Sequence, residues 1–186
     1  MPALRPGVTV LLDTRARAAI AQEAGRRRTR ETGGALFGFV DGQDVIVACA
    51  YGPGPRARHR RASFEPHRAT TEEAMRVVRE DSRQRFRFLG SWHTHPGGVA
   101  VPSSRDAATA GEIAADAAVL LPSPLLLIQA TRPAGRGAEP AELAAWRWDP
   151  GARGLVHDAV EAIELEHRWC PVVTIARGCR RDQIVG

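Results

Sequence analysis

Apolar positions along the chain switch between two spacings, every second residue and every third or fourth, and the switches predict where strands and helices fall. Residues 8–12 (VTVLL) read as a first strand. Asp13 or Thr14 then caps a helix whose apolar face is Ala16, Ala19, Ile20 and Ala24, with Gly25 at its end. ALFGFV and DVIVACA flank Asp41-Gly42 and predict a β-hairpin. Three prolines and two glycines make residues 51–69 a surface loop. Thr70-Thr71-Glu72-Glu73 has the form of a capping box, and Ala74, Val77 and Val78 give the following helix a modest apolar face to about Ser82. A strand is expected over 86–95 and a helix over 103–121, the latter with Ala107, Ala110, Ala114, Ala117, Ala118 and Leu121 on one side and Pro122 closing it. LLLIQAT at 125–131 reads as a fully buried strand. Residues 133–140 read as a Gly/Pro loop, LAAWRW as a later strand, and 155–165 as an amphipathic element of either type. The irregular alternation of strands and helices predicts an α/β domain with a mixed sheet covered by helices. No internal repeat interrupts it.

With 186 residues, 44% hydrophobic and 25% charged, the chain has the size and composition of one folded domain. Residues 1–165 are assigned to that domain and 166–186 to a C-terminal extension that either adds an edge strand or stays mobile. The N-terminus lacks a secretory or membrane-spanning apolar run, so a cytoplasmic location with no membrane partner is the expectation. Three scattered cysteines, Cys49, Cys170 and Cys179, form no paired metal or disulfide pattern and read as ordinary thiols. The net charge is +5, and all 26 basic residues are arginines. Biased base composition explains that; it also means that no lysine is open to conjugation. A basic chain raises nucleic acid as a partner, but the arginines are spread out, aromatic residues make up only 5%, and no reading motif is present, so nucleic acid is disfavoured.

The candidate chemistry lies in SWHTHPGGVAVPSSRD, residues 91–106. Residues two apart on a strand share a face, so His93 and His95 project together. Pro96-Gly97-Gly98 turns the chain, and the helix that follows carries Asp106 in its first turn. Two imidazoles and a carboxylate, with a fourth position open to water, form the donor set of catalytic zinc. Each part also has an ordinary use: Ser103 and Asp106 make a plain helix cap, and a lone histidine is more often structural. Zinc-assisted hydrolysis further needs a proton carrier, and Glu31, before Gly33-Gly34 at the mouth of a strand, is the candidate. A solvated loop glutamate is its everyday alternative.

ETGGALFG at 31–38 together with SWHTHPGGVAVPSSRD resembles the JAMM (MPN+) zinc metalloprotease family, whose signature is an upstream Glu followed by His-x-His-Pro-x6-Ser-x2-Asp. Every element is present, and the resemblance spans roughly residues 8–165. It implies a single MPN domain with a mixed, curved β-sheet flanked by helices and a cytidine-deaminase-like architecture. It implies one Zn2+ on His93, His95 and Asp106 with water as fourth ligand, Glu31 as general acid/base, and Ser103 as hydrogen-bond donor to the oxyanion. Trp92 is assigned to packing and Thr94 to the support of the ligands.

Members of that family cleave after the C-terminal glycine of ubiquitin or ubiquitin-like proteins. The short GSWHTHP form looks like the stand-alone bacterial branch, found beside E1-like and sometimes E2-like enzymes, including antiviral conjugation systems. The expected function is therefore zinc-dependent deconjugation or maturation of a ubiquitin-like or conjugated protein with an extended tail. Processing of a sulfur carrier and a RadC-like, nucleic-acid-associated role are the alternatives. In the family, insertions corresponding to residues 63–83 and following the zinc-site helix shape the groove for that tail. The basic cluster at 56–61 either holds an acidic partner surface or is a solvated loop.

Overall fold

The alternating segments form strands and the 3.6-period segments form helices, in the order β1 (Thr9–Asp13), α1 (Thr14–Gly25), β2 (Gly33–Asp41), β3 (Asp44–Ala50), β4 (Arg58–His59), β5 (Phe64–Glu65), α2 (Arg68–Asp81), β6 (Arg87–Pro96), α3 (Ser104–Ala115), β7 (Leu125–Ala134), β8 (Gly137–Asp149) and β9 (Gly154–Ile163). The structure, a computed structural model, describes residues 8–27 and 29–165. The α/β class with a mixed sheet is present. The predicted extension at 166–186, with Cys170 and Cys179, lies outside the described residues.

Seven strands hydrogen-bond in the order β1-β3-β2-β6-β7-β8-β9, and β1 also pairs with β9, which closes the ring. The β1–β3, β1–β9 and β6–β7 pairs are parallel and the rest antiparallel. β4 and β5 form a separate two-stranded hairpin. Asp13 caps α1 by accepting from the Arg15 N–H at 2.9 Å. From there α1 touches β1, β2, β3, β7 and β8, strands from both halves of the ring, and so fills its interior. Val10, Leu12, Ile20, Leu36, Trp92 and Leu127 pack together there. Phe37, Val78 and Phe86 join α2 to the other face of the sheet. α3 lies over β8 and β9, where Gly111 leaves room for the Trp148 ring.

Several boundaries differ from the sequence expectation. The helix expected over 103–121 stops at Ala115, because the Asp116 side chain accepts from the Ala118 N–H at 2.8 Å and offers the backbone a turn in place of another helical one. Thr70-Thr71-Glu72-Glu73 is no capping box: α2 starts at Arg68 behind an extended His67, whose Nδ1 is hydrogen-bonded to Thr70 Oγ1 at 2.8 Å. The expected loop at 133–140 is the far end of the β7–β8 hairpin. Beyond Thr131, β7 has lost its β6 neighbour, so Pro133 interrupts no second ladder. Residues 155–165 resolve as strand β9 followed by two residues of coil.

One irregularity sets up the site. β6 carries a bulge where Leu36 pairs with Gly90 but Phe37 pairs with Phe88, leaving Leu89 as the extra residue. Phe88 packs on the α2 side and Leu89 into the ring interior. Simple alternation from there would send His93 and His95 inward as well. Because of the bulge, Trp92 points inward instead, and the histidines emerge on the outer side with Ser91. Gly90 makes this shift with φ 140°, and a Cβ there would stand 1.9 Å from the Leu125 carbonyl oxygen.

Candidate metal centre

Near its end β6 carries His93-Thr94-His95, its two imidazoles on the outer side and Thr94 inward. Pro96 and a positive-φ Gly97 turn the chain, and Ser103 starts α3. Here the capping box exists: Ser103 Oγ accepts from the Asp106 N–H at 3.3 Å while Asp106 Oδ2 accepts from the Ser103 N–H at 2.7 Å. The Ser103 hydroxyl also donates to Oδ2 at 2.7 Å. The cap thus works through Oδ2 and leaves Oδ1 turned to His93.

His93, His95 and Asp106 offer ligand atoms that all lie within 4.8 Å of one another, close enough to bind a metal ion. His93 Nε2 stands 3.0 Å from His95 Nε2 and 3.4 Å from Asp106 Oδ1, and His95 Nε2 stands 3.9 Å from Asp106 Oδ2. Bonds of about 2.0–2.1 Å in a tetrahedron separate ligand atoms by about 3.3 Å, so these spacings bracket what zinc needs. The protonation states suit it as well. His95 Nδ1 donates to the Val99 carbonyl at 2.9 Å, which leaves Nε2 with its lone pair. Burial holds His93 down to about pH 4, with His95 adding to the effect and Asp106 opposing it, so the ring is neutral at pH 7. The residues fit a zinc ion, and they fit calcium poorly, with too few oxygens.

Glu31 lines the same cleft, of about 530 Å³, together with Ser103 and all three clustered residues. Partial burial first, and then the Asp106 charge, push its carboxyl up to about 7 against an opposing pull from Arg105. A group poised there can hold or release a proton near neutral pH. Two close approaches behind Glu31 require glycine: a Cβ on Gly33 would stand 2.3 Å from the Trp92 carbonyl, and one on Gly34 would stand 1.8 Å from the Tyr51 carbonyl.

The structure adds residues that sequence reasoning passed over. Fully buried Thr32, next to Glu31, donates its N–H to Thr94 Oγ1 at 3.0 Å and accepts from the Thr94 N–H at 2.8 Å. Its hydroxyl donates to buried Glu23 at 3.1 Å. Glu23 sits on the apolar stripe of α1, in step with Ala16, Ala19, Ile20 and Ala24, and a carboxylate in that stripe was the available signal. On the other side, the β4–β5 hairpin holds the Glu31 backbone: the Glu31 N–H donates to the Arg60 carbonyl at 2.7 Å, and His59 Nδ1 bonds the Glu31 carbonyl at 2.9 Å.

Residues 13–149 match the family described as prokaryotic homologs of the JAB domain. Among solved structures, the solution structure of protein DSY2949 from Desulfitobacterium hafniense is similar with a TM-score of 0.62 at 21% identity, over 89% of this chain and 99% of that one. That likeness concerns the fold. No curated protein matches the chain. Among the described residues, no helix is long and apolar enough to cross a membrane.

Proposed function

Because the chain belongs to the prokaryotic homologs of the JAB domain, we propose that it is a zinc-dependent isopeptidase or peptidase. Its substrate in this reading is a ubiquitin-like modifier, or a protein conjugated to one, cut after the C-terminal glycine. The observation that carries the reading is the convergence, on one cleft, of a metal-ready His93–His95–Asp106 cluster and a carboxylate held near pH 7.

His93, His95 and Asp106 would hold the zinc ion, whose chemistry there would be Lewis acidity toward the scissile carbonyl and the attacking water. Glu31 accepts the proton of that water and delivers it to the departing amine, a two-step task that suits a pKa near neutrality. Ser103, at the mouth of α3, turns its hydroxyl from Asp106 Oδ2 to the oxyanion that develops on the carbonyl. Thr94 and Thr32 hold Glu31 in register with the ligands. A conjugating partner of the E1 or E2 type, acting on the same modifier, belongs to this reading.

The test is a fusion of a Gly-Gly-terminated ubiquitin-like protein to a reporter, preferably the modifier encoded beside this chain, offered to zinc-loaded protein. Cleavage after glycine by the unsubstituted protein, lost in Glu31→Gln, supports the proposal. Equal cutting by both, or none with any modifier, overturns it.

A further inference from the structure

The cleft has charged walls that the hydrolytic machinery does not use. Arg61, in the turn of the β4–β5 hairpin, and Arg105, in the first turn of α3, both line it and are both exposed. Arg56 and Arg60 extend the same exposed positive strip along the hairpin, and Arg58 is tied to Glu65 at 3.6 Å. Among the described residues, Arg56, Arg60, Arg61 and Arg105 have no acidic partner within ion-pair distance, although Arg105 acts on Glu31 at longer range. The acids lining the cleft, among the described residues, are Glu31 and Asp106.

Taking the cleft as the substrate site proposed above, we infer that the hairpin arginines and Arg105 read acidic side chains on the protein substrate next to its scissile bond. A guanidinium at the wall of a cleft can take a carboxylate brought by the ligand in bidentate geometry, which a single charged amine could not match. The strip leads to the site through hydrogen bonds: Arg60 and His59 grip the Glu31 backbone, and Arg60 N–H closes the turn on the Ser63 carbonyl at 3.0 Å. The hairpin is thus joined directly to the backbone that carries Glu31. The hairpin's two rings, His59 and Phe64, pack on each other and are both half-buried, which leaves no fully exposed ring for base stacking and favours a peptide over a nucleic acid.

Two fluorescent decapeptides with a central Gly-Gly test this, one with Asp and Glu at the flanking positions and one with Asn and Gln. Binding is read by anisotropy on the zinc-loaded Glu31→Gln chain, so that the probe survives, and cleavage is followed in parallel with the unsubstituted protein. The acidic peptide is expected to bind on the order of tenfold tighter at low salt. Arg61→Gln and Arg105→Gln, each added to that chain, should bring the ratio of the two affinities towards one. Equal affinities, or a ratio that the substitutions leave alone, overturn the inference. So does an oligothymidylate of matching charge that binds more tightly than the acidic peptide through the same arginines. Discrimination without cleavage of either peptide counts against the hydrolase and leaves the recognition standing; cleavage of both without discrimination does the reverse.

Discussion

Thr94 clasps both backbone polar groups of Thr32, accepting from its N–H at 3.0 Å and donating to its carbonyl at 2.8 Å, in a place fully closed to solvent. One residue between the two histidines thus fixes the residue after Glu31. Thr94→Val keeps the shape and deletes the acceptor, leaving the Thr32 N–H buried without a partner, at a cost of about 1–3 kcal/mol. Thermal unfolding measures that loss. If the clasp also registers Glu31, kcat on a cleavable fusion falls while KM stays, and Thr94→Ser restores both.

Gly90 is the test of the bulge. Alanine there meets the Leu125 carbonyl and a φ of 140°, so the extra residue cannot be absorbed and the strand reverts to plain alternation. Gly90→Ala should lose about 1–3 kcal/mol or more from overpacking. It should also lose zinc binding, because the histidines no longer share a side with Asp106. A folded variant that binds one zinc per chain with unchanged affinity would refute the role given to the bulge.

Glu31 carries a pH signature. Its carboxyl titrates at about 7 in the folded protein against 4.5 in an unfolded chain, so the folded form holds its proton longer. That contribution to stability is full below pH 4.5 and disappears as pH rises through 7. Glu31→Gln removes the dependence. The variant and the unsubstituted protein should unfold alike near pH 4, and the variant should be the more stable above pH 7. A bound cation offsets the Asp106 charge and pulls the Glu31 value down, so adding zinc should shift its carboxyl NMR titration to lower pH.

Ser103→Ala separates cap from catalysis. Loss of the cap should cost about 0.5–2 kcal/mol of stability. Loss of an oxyanion donor should lower kcat on the order of 10² to 10³-fold. Ser103→Asn, which can cap but presents a different donor, should recover most of the stability and little of the rate.

The convergence of His93, His95 and Asp106 was legible because a two-residue strand period and a three-residue cap are both local rules. The side of the sheet was not, since it hangs on Gly90 and on a carbonyl of Leu125 that lies far along the chain. Gly90 inside a strand was the one hint. The α/β class followed from periodicity, whereas the length of the β7–β8 hairpin was hidden by Pro133 and Pro140, which only the missing third strand makes tolerable. Thr94 was expected to support the ligands; its hydrogen bonds go to Thr32, sixty-two positions earlier, a partner that no local rule could have supplied. Glu23 escaped because its partner, too, lies beyond the helix that carries it.

The pairing of β1 with β9 has a bearing on how the protein is made. β1 leaves the ribosome before every other strand of the ring, and one of its two neighbours is the last of them. Until residues 154–163 emerge, the nascent sheet keeps two open edges, the kind of surface that pairs with other chains. His93, His95 and Asp106 are by then already synthesised, on β6 and α3. The cluster's three residues are therefore on hand while the ring is still open, and closure through β9, with the buried Arg147–Asp158 pair at 2.8 Å, follows them.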